Sequence, residues 1–395
     1  DFRSISDPAE LRRFPSAARG KVRVADLSAV LPEKVRTWDD ACKVPPGPWL
    51  YVNGGIQPIA RWPNEDERGG WTNFTQAVDR GLAEPDSPDP ARRIKRPGSF
   101  VFDAPRVANW DFSEGVWLYG YWTHDWYEQI LRAKAWTATP TNRVMELAGV
   151  HPYGIIGNRT WGASHRRFFA LNVPAELDSP GEWWLDRAAK RLYAWPTAGW
   201  KTADIRLAVL DRPFVSVTGA REVRFVNLDF EYGHETASAV VVKNCEDVAF
   251  DGCGFRNLGG QGIGIEGGRR CRVRRCEICN LGATAVRITG GDRRTLTRGD
   301  HVVADCTIHH YARFWRTYNP GVSVNGVGQT VRGCRISDAP HNGILYGGND
   351  HLLEDNEICR VVQETSDAGA IYAGRDPTSL GNVIRGNYIH DLGKD

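Results

Sequence analysis

Between residues 225 and 389 one short pattern returns seven times: an apolar residue, then a Leu, Cys or Asn three positions on, then an Ile or Phe two positions beyond. It reads Phe225/Leu228/Phe230, Phe250/Cys253/Phe255, Val273/Cys276/Ile278, Val303/Cys306/Ile308, Val331/Cys334/Ile336, Leu353/Asn356/Ile358 and Ile384/Asn387/Ile389. Successive middle residues lie 25, 23, 30, 28, 22 and 31 positions apart. A strand repeated at such a period is the mark of a solenoid, here a parallel β-helix with one copy per coil. A second short strand follows most copies, as in Gly262-Ile263-Gly264-Ile265, Ala285-Val286-Arg287-Ile288, Gly321-Val322-Ser323-Val324, Gly343-Ile344-Leu345-Tyr346 and Gly369-Ala370-Ile371-Tyr372. Gly-Gly pairs at 267–268, 290–291 and 347–348 then turn the chain into its next coil. A single coil exposes one apolar face, so each is stable only with its neighbours stacked on it.

Charge excludes one class of partner. The 50 basic residues are offset by 48 acidic ones, a net charge of +2, whereas a nucleic-acid binder gathers a basic excess on one face. No apolar run approaches the roughly 18 residues of a membrane span, and no signal peptide stands at Asp1. The start at Asp-Phe-Arg reads as a processed or trimmed terminus, and a secreted or periplasmic location is expected. Of the 9 Cys, Cys253, Cys276, Cys306 and Cys334 share one repeat position, which makes them an inward stack of small core residues with free thiols. A zinc reading of Cys271, Cys276 and Cys279 lacks the paired spacing of such sites, so neither a metal nor a cofactor is expected. Most of the 15 Trp precede residue 201, outside the repeat, and read as core more than as sugar-stacking faces.

The fold class expected is all-β: a right-handed parallel β-helix with an N-terminal or inserted β-sandwich-like domain. Residues 1–44 are read as a cap with the first β-helix strand, 45–205 as the inserted domain and 206–395 as the β-helix. A short helix is predicted within 6–16, from a capping Ser6 or Asp7, Pro8 in the first turn and Glu10 placed to reach back. Val22-Arg23-Val24-Ala25-Asp26-Leu27 alternates as a strand. Within 45–205 short strands alternate with Pro and Gly breaks, the pattern of a sandwich. Trp183-Trp184-Leu185-Asp186 with Arg191-Leu192-Tyr193-Ala194 reads as a hairpin.

Several runs point to a family. Val52-Asn53-Gly54 with Ala60-Arg61-Trp62-Pro63-Asn64-Glu65, Glu182-Trp183-Trp184-Leu185-Asp186 with Leu192-Tyr193-Ala194-Trp195-Pro196, and Glu364-Thr365-Ser366-Asp367-Ala368-Gly369-Ala370-Ile371-Tyr372 with Gly374-Arg375-Asp376 together resemble bacterial right-handed β-helix glycoside hydrolases of family 141. The architecture is also similar to that of family 120 β-xylosidases. The resemblance spans nearly the whole chain, and its most specific part is the Glu364–Tyr372 run. It implies a glycosidase acting on a plant cell-wall glycan, xylan or a fucosylated pectic glycan, with α-L-fucosidase or xylanase/xylosidase-like activity. Relatives of this kind continue beyond the point where this chain stops, so a C-terminal segment is expected to be missing or separately supplied. An open last coil would otherwise leave unpaired strand edges.

The repeat also places a cleft. From Phe255 to Ile263, Ile278 to Val286 and Ile336 to Ile344 the step to the second strand is 8 residues, but it is 14 from Ile308 to Val322 and 13 from Ile358 to Ile371. Two long turns, 309–320 and 359–368, thus flank the tight coil of His341 and Asn342. Glycoside hydrolysis needs two carboxyls, about 5–5.5 Å apart for retention or 6.5–9.5 Å for inversion. Asp367 is the first candidate, with a plain second role in capping the turn into the Gly369 strand. Glu364, Asp338 and Asp376 are candidate partners; Asp376 lies about 15 Å away along a strand unless the turn folds back, and Asp-Pro is an ordinary turn. His341, Asn342, Tyr346, His309, His310, Trp315, Tyr318, Asn319 and Arg375 make up the expected sugar-binding set.

Two other functions stay open on the residues. A polysaccharide lyase would use Arg332, Arg335, Arg360 or Arg375 as base, but the carboxylate cluster of a Ca²⁺ site is not apparent in the cleft coils. A non-catalytic glycan-binding solenoid would use the same cleft without turnover.

Overall fold

The computed structural model describes residues 2–33, 35–45, 47–139, 143–156, 166–234 and 238–393. The chain divides into two compact units, Asp1–Pro46 with Leu50–Ile205, and Gly47–Trp49 with Arg206–Asp395.

The second unit is a solenoid of three parallel sheets, each of 7 strands. One sheet runs from Arg224–Val226 to Val383–Arg385, the next from Asp229–Glu231 to Tyr388–His390, and the last from Val215–Thr218 to Ile371–Ala373. Its registers follow the repeat. Phe225, Phe250, Val273, Val303, Val331, Leu353 and Ile384 are successive partners along the first sheet. Phe230, Phe255, Ile278, Ile308, Ile336, Ile358 and Ile389 form the matching column on the second, and Val240, Ile263, Val286, Val322, Ile344 and Ile371 that on the third. In-register parallel pairing puts like residues above one another, so the columns pack as a continuous apolar core, except at Ile384 and Ile389, which are exposed. Phe225 stacks flat on Phe250, with ring centroids 4.6 Å apart and planes at 4°.

The corner between the first and second sheets explains the middle position of the repeat. Just before it stand Asn227, Gly252, Arg275, Asp305, Gly333, Asp355 and Gly386, all with left-handed φ between 52° and 65°. Gly, Asn and Asp tolerate that conformation best. The Gly positions are also crowded: a Cβ on Gly333 would lie 2.6 Å from Asp305 Oδ1. The following residue then turns inward. The Sγ atoms of Cys253, Cys276, Cys306 and Cys334 each lie near two carbonyls, that of the coil before at 3.5, 3.8, 3.6 and 3.8 Å (Phe225, Phe250, Val273 and Val303) and that two residues earlier at 3.7, 3.2, 3.2 and 3.4 Å. In the next two coils the amides of Asn356 and Asn387 donate to the coil before, at 3.1 and 2.8 Å to Val331 and Leu353. All nine thiols are free, eight of them buried and Cys42 half-buried.

A second polar ladder lines the corner leading back into the first sheet. His301 Nδ1 accepts the Cys271 amide at 3.1 Å, Gln329 Oε1 that of His301 at 2.8 Å, His351 Nδ1 that of Gln329 at 3.1 Å and Asn382 Oδ1 that of His351 at 3.0 Å. Buried main-chain donors that strands cannot reach are satisfied by the next coil's side chains.

The first unit is antiparallel. Its larger sheet has 9 strands, centred on Val116–Tyr121 and Glu128–Ala138, over a core rich in Phe and Trp. The smaller has 4: Arg3–Ser4, Arg23–Asp26, Arg191–Ala194 and Trp183–Asp186, the last two forming the hairpin expected. The Arg23–Asp26 strand, read as part of a first β-helix segment, pairs with Arg191–Ala194 in this antiparallel sheet instead. That partner comes from about 170 residues on, a distance no local pattern reveals. The helix predicted in 6–16 is one turn, Pro8–Leu11, capped by Asp7 Oδ1 on Ala9 N at 2.8 Å. Pro15 prevents extension, and Glu10 pairs with Arg191 at 3.1 Å rather than reaching back to the cap. Glu182 braces the unit from a buried position. Its oxygens accept the amides of Arg61, Asp178 and Ser179 at 3.1, 2.9 and 3.0 Å, while burial pushes its carboxyl up to about 8.

Ile308 sits mid-column with full burial and a coil on either side. Ile308→Ala is expected to lower the unfolding free energy by about 2–5 kcal/mol, read as a shifted urea midpoint with the fold retained by circular dichroism.

Candidate functional site

The turns between the second and third sheets carry most of the expected residues. Between Ile336 and Ile344 the chain makes a short passage, and the loop that follows Ile358 folds over it: Val362 N reaches His341 O at 2.8 Å, Gln363 N reaches Ala339 O at 3.2 Å, and Glu364 N and Thr365 N both reach Pro340 O, at 3.2 and 3.3 Å. The preceding long turn leans the other way. Ala312, Arg313, Phe314 and Trp315 donate their amides to the Leu281–Ala283 carbonyls at 2.9–3.1 Å. The Phe314 ring stacks on Trp49, centroids 3.9 Å apart and planes at 11°. Trp315 is half-buried beside it.

The two long turns are tied together across the short one by an ion pair between Arg316 and Glu364. Asp367 stands three residues beyond Glu364 with φ of +51°, exposed, and with no ion pair recorded among the described residues. Glu364 and Asp367 therefore share one loop, Glu364 facing a guanidinium and Asp367 facing solvent.

His341 and Asn342 are fully buried beneath that loop. Thr365 Oγ1 donates its single proton to Pro340 O at 2.9 Å, so His341 Nδ1, 2.5 Å away, must be the donor to that hydroxyl. The proton of the neutral imidazole then sits on Nδ1. Nε2 is buried without a hydrogen-bond partner among the described residues. Burial holds the ring's pKa down at about 4, so it is neutral at physiological pH. Asn342 Oδ1 accepts the Gly369 amide at 3.1 Å, and Tyr311 OH donates to Asn342 O at 2.9 Å. Both side chains thus support the Glu364–Asp367 segment from below rather than meeting solvent.

Tyr318, also left-handed at φ +55°, is 37 % exposed and crosses the His341 ring edge-on at 4.8 Å. Tyr372 lies 6.4 Å from it at 64°, an aromatic pair over the loop. Tyr372 is a residue the sequence reading passed over, although its place one position after inward-facing Ile371 already puts it on the outer face. Tyr346, two positions after Ile344, packs instead against the core. Asn319 is buried, accepting from Thr284 Oγ1 at 3.0 Å and donating to Thr317 O at 3.0 Å.

Several other candidates are held by partners of their own. Asp376 caps its own turn, accepting from Thr378 N at 2.9 Å and Thr378 Oγ1 at 2.6 Å, and pairs with Arg293 at 2.8 Å. Those bonds, first the Thr378 hydroxyl, hold its carboxyl below the usual range. Arg375 beside it is exposed. Asp338 is gripped bidentately by Arg360 at 2.6 and 2.8 Å, and that pairing holds it down at about 2. Arg335 pairs with Glu357 at 3.4 Å. Guanidiniums engaged in this way are poor proton acceptors, which weakens the lyase reading. His309 and His310 meet through their Nδ1 atoms at 2.7 Å, with rings at 84°.

Comparison with known proteins bears on the fold. The family described as "Right handed beta helix region" matches residues 214–314. The chain is similar to a solved structure named as a glycoside hydrolase, with 15% sequence identity and a TM-score of 0.66, over 94% of this chain and 73% of the other. That likeness is one of fold. No curated protein sequence matches. Among the described residues no helix is long and apolar enough to cross a membrane.

A buried His with a depressed pKa contributes stability above its unfolded value near 6.5, and that contribution is lost as pH falls through about 4. Urea unfolding across that window is expected to show a shallower acid loss for His341→Gln than for the native chain. Equal slopes would mean that His341 is not held neutral.

Proposed function

We propose that this chain is a glycoside hydrolase of a plant cell-wall glycan, xylan or a fucosylated pectic glycan, with Asp367 and Glu364 as its carboxyl pair. One observation carries the reading: Glu364, paired to Arg316 across the short coil, shares a loop with an exposed Asp367 that makes no ion pair among the described residues. Glycosidic cleavage needs one carboxyl to protonate the leaving oxygen and a second, ionised one to attack the anomeric carbon or activate water. Glu364, ion-paired with Arg316, is cast in the second part. Tyr318 and Tyr372 offer faces on which a sugar ring stacks, with Trp315, His309 and His310 at the border of the same turn. The fold neighbour named as a glycoside hydrolase supports the same class. A polymer substrate of this kind is met outside the cytoplasm, in keeping with a secreted or periplasmic enzyme.

Incubation with xylans, pectins and fucosylated glycans is expected to give new reducing ends without the absorbance of unsaturated uronates. Asp367→Asn and Glu364→Gln should each lower turnover by about 10²–10⁴-fold while leaving the unfolding midpoint nearly unchanged for Asp367→Asn. Full activity in Asp367→Asn would remove it from the mechanism; unsaturated products would make the chain a lyase, and binding without any product a glycan-binding solenoid.

A further inference from the structure

A second group of reactive side chains lies on the outer face of the solenoid, apart from the Glu364–Asp367 loop. In the strand Glu357–Cys359 the central Ile358 points into the core, so Glu357 and Cys359 point outward. Strand register places His390 beside Cys359 in the next coil. The His390 Nε2 atom is 3.4 Å from Glu357 Oε1, and Cys359 Sγ is 3.9 Å from the same oxygen. The three ligand atoms all lie within 4.8 Å of one another, the one such His/Cys/carboxylate group among the described residues.

The tautomer of the histidine is set by its other nitrogen. His390 Nδ1 lies 2.8 Å from Asp391 Oδ2, and a carboxylate only accepts, so Nδ1 carries a proton and Nε2 is the nitrogen that can offer a lone pair to a metal. Nε2 is nevertheless buried and hydrogen-bonded to nothing among the described residues. The Tyr388 ring stacks on His390 at 4.4 Å and fixes its plane. Cys359 is fully buried, with Arg360 Nη1 3.4 Å from its sulfur. A buried lone pair aimed toward a carboxylate and a thiol, each of which would repel it when ionised, is an arrangement that a cation completes.

We propose that Glu357, Cys359 and His390 bind a divalent cation of the zinc class, with Asp391 orienting the histidine. Zinc takes S, N and O donors at about 2.3, 2.0–2.1 and 2.0–2.2 Å, which places tetrahedral ligands roughly 3.4–3.6 Å apart. The Glu357–His390 separation already meets that, and the Cys359–Glu357 separation exceeds it by a few tenths of an ångström. The Asp391–His390 contact is the carboxylate–histidine–metal relay that commonly supports such ligands. On binding, the Cys359 thiol gives its proton to solvent and its thiolate pair to the metal; Glu357 and Cys359 then balance the two positive charges. Three protein ligands leave a fourth position for water. The site bridges the last two described strands of the second sheet, so the ion staples adjacent coils.

The probe is metal alone. Titration of the purified full chain with Co²⁺ should give one equivalent bound with a thiolate-to-cobalt charge-transfer band, and Zn²⁺ should displace it and raise the melting temperature. Cys359→Ser should abolish the band. His390→Gln and Glu357→Gln, at partly exposed positions, should fold normally and weaken binding, and Asp391→Asn should weaken it about 10–100-fold. Absence of the band in the folded native chain, or a band unaltered in Cys359→Ser and His390→Gln, would overturn the proposal.

Discussion

Everything in the solenoid depends on main-chain hydrogen bonds that run between coils rather than within them. A parallel strand cannot satisfy its own amides, so each coil lends its carbonyls to one neighbour and its donors to the other. That exchange fixes the register to the residue, and the register in turn lines up Val303 with Val331 and Ile308 with Ile336. The core is a consequence of the pairing as much as its cause. Where the chain leaves the strands, the same demand persists, and side chains take over: thiols, amides and imidazoles bond the main chain of the coil next to them.

This scaffold is indifferent to what happens in the turn between the second and third sheets. Turns of very different length leave Ile336 and Ile344 in the same columns as Ile308 and Val322. Loop insertion therefore leaves the core columns in register, and the candidate site is built from differences in turn length. The short passage at 337–343 contributes buried supports, His341 and Asn342, and its longer neighbours contribute Glu364, Asp367 and Tyr318. Rigid support under a polar loop is the usual way in which reacting groups are held in place.

The sequence displayed the columns because inward residues recur at a fixed place in each coil, and the strand partners follow that alignment residue by residue. It displayed the long turns as well, since an insertion is visible against a regular repeat. Pairings that depend on side-chain direction were not legible. Arg316 and Glu364 are 48 residues apart on separate loops, and no spacing announces their meeting. His341 and Asn342 read as cleft residues from their position, yet the overlying loop buries them. The Glu357, Cys359 and His390 group escaped a search for local metal motifs because its ligands sit on adjacent coils, where proximity comes from register rather than from sequence distance. Arg23–Asp26 shows the reverse difficulty: a clear strand pattern whose partner is chosen by tertiary structure.

The column of Cys253, Cys276, Cys306 and Cys334 gives way to Asn356 and Asn387 as the chain reaches the coil bearing Asp367. The change keeps the bond and alters its chemistry. A thiol is a weak donor that oxidants convert to larger, polar products, whereas a carboxamide is a stronger donor with no redox chemistry of its own. Along this inward column the solenoid therefore has a chemical polarity: four coils whose corner residue oxidation would enlarge, then two whose corner residue is redox-inert, with Cys359 of the coil carrying the proposed catalytic loop standing outside the column.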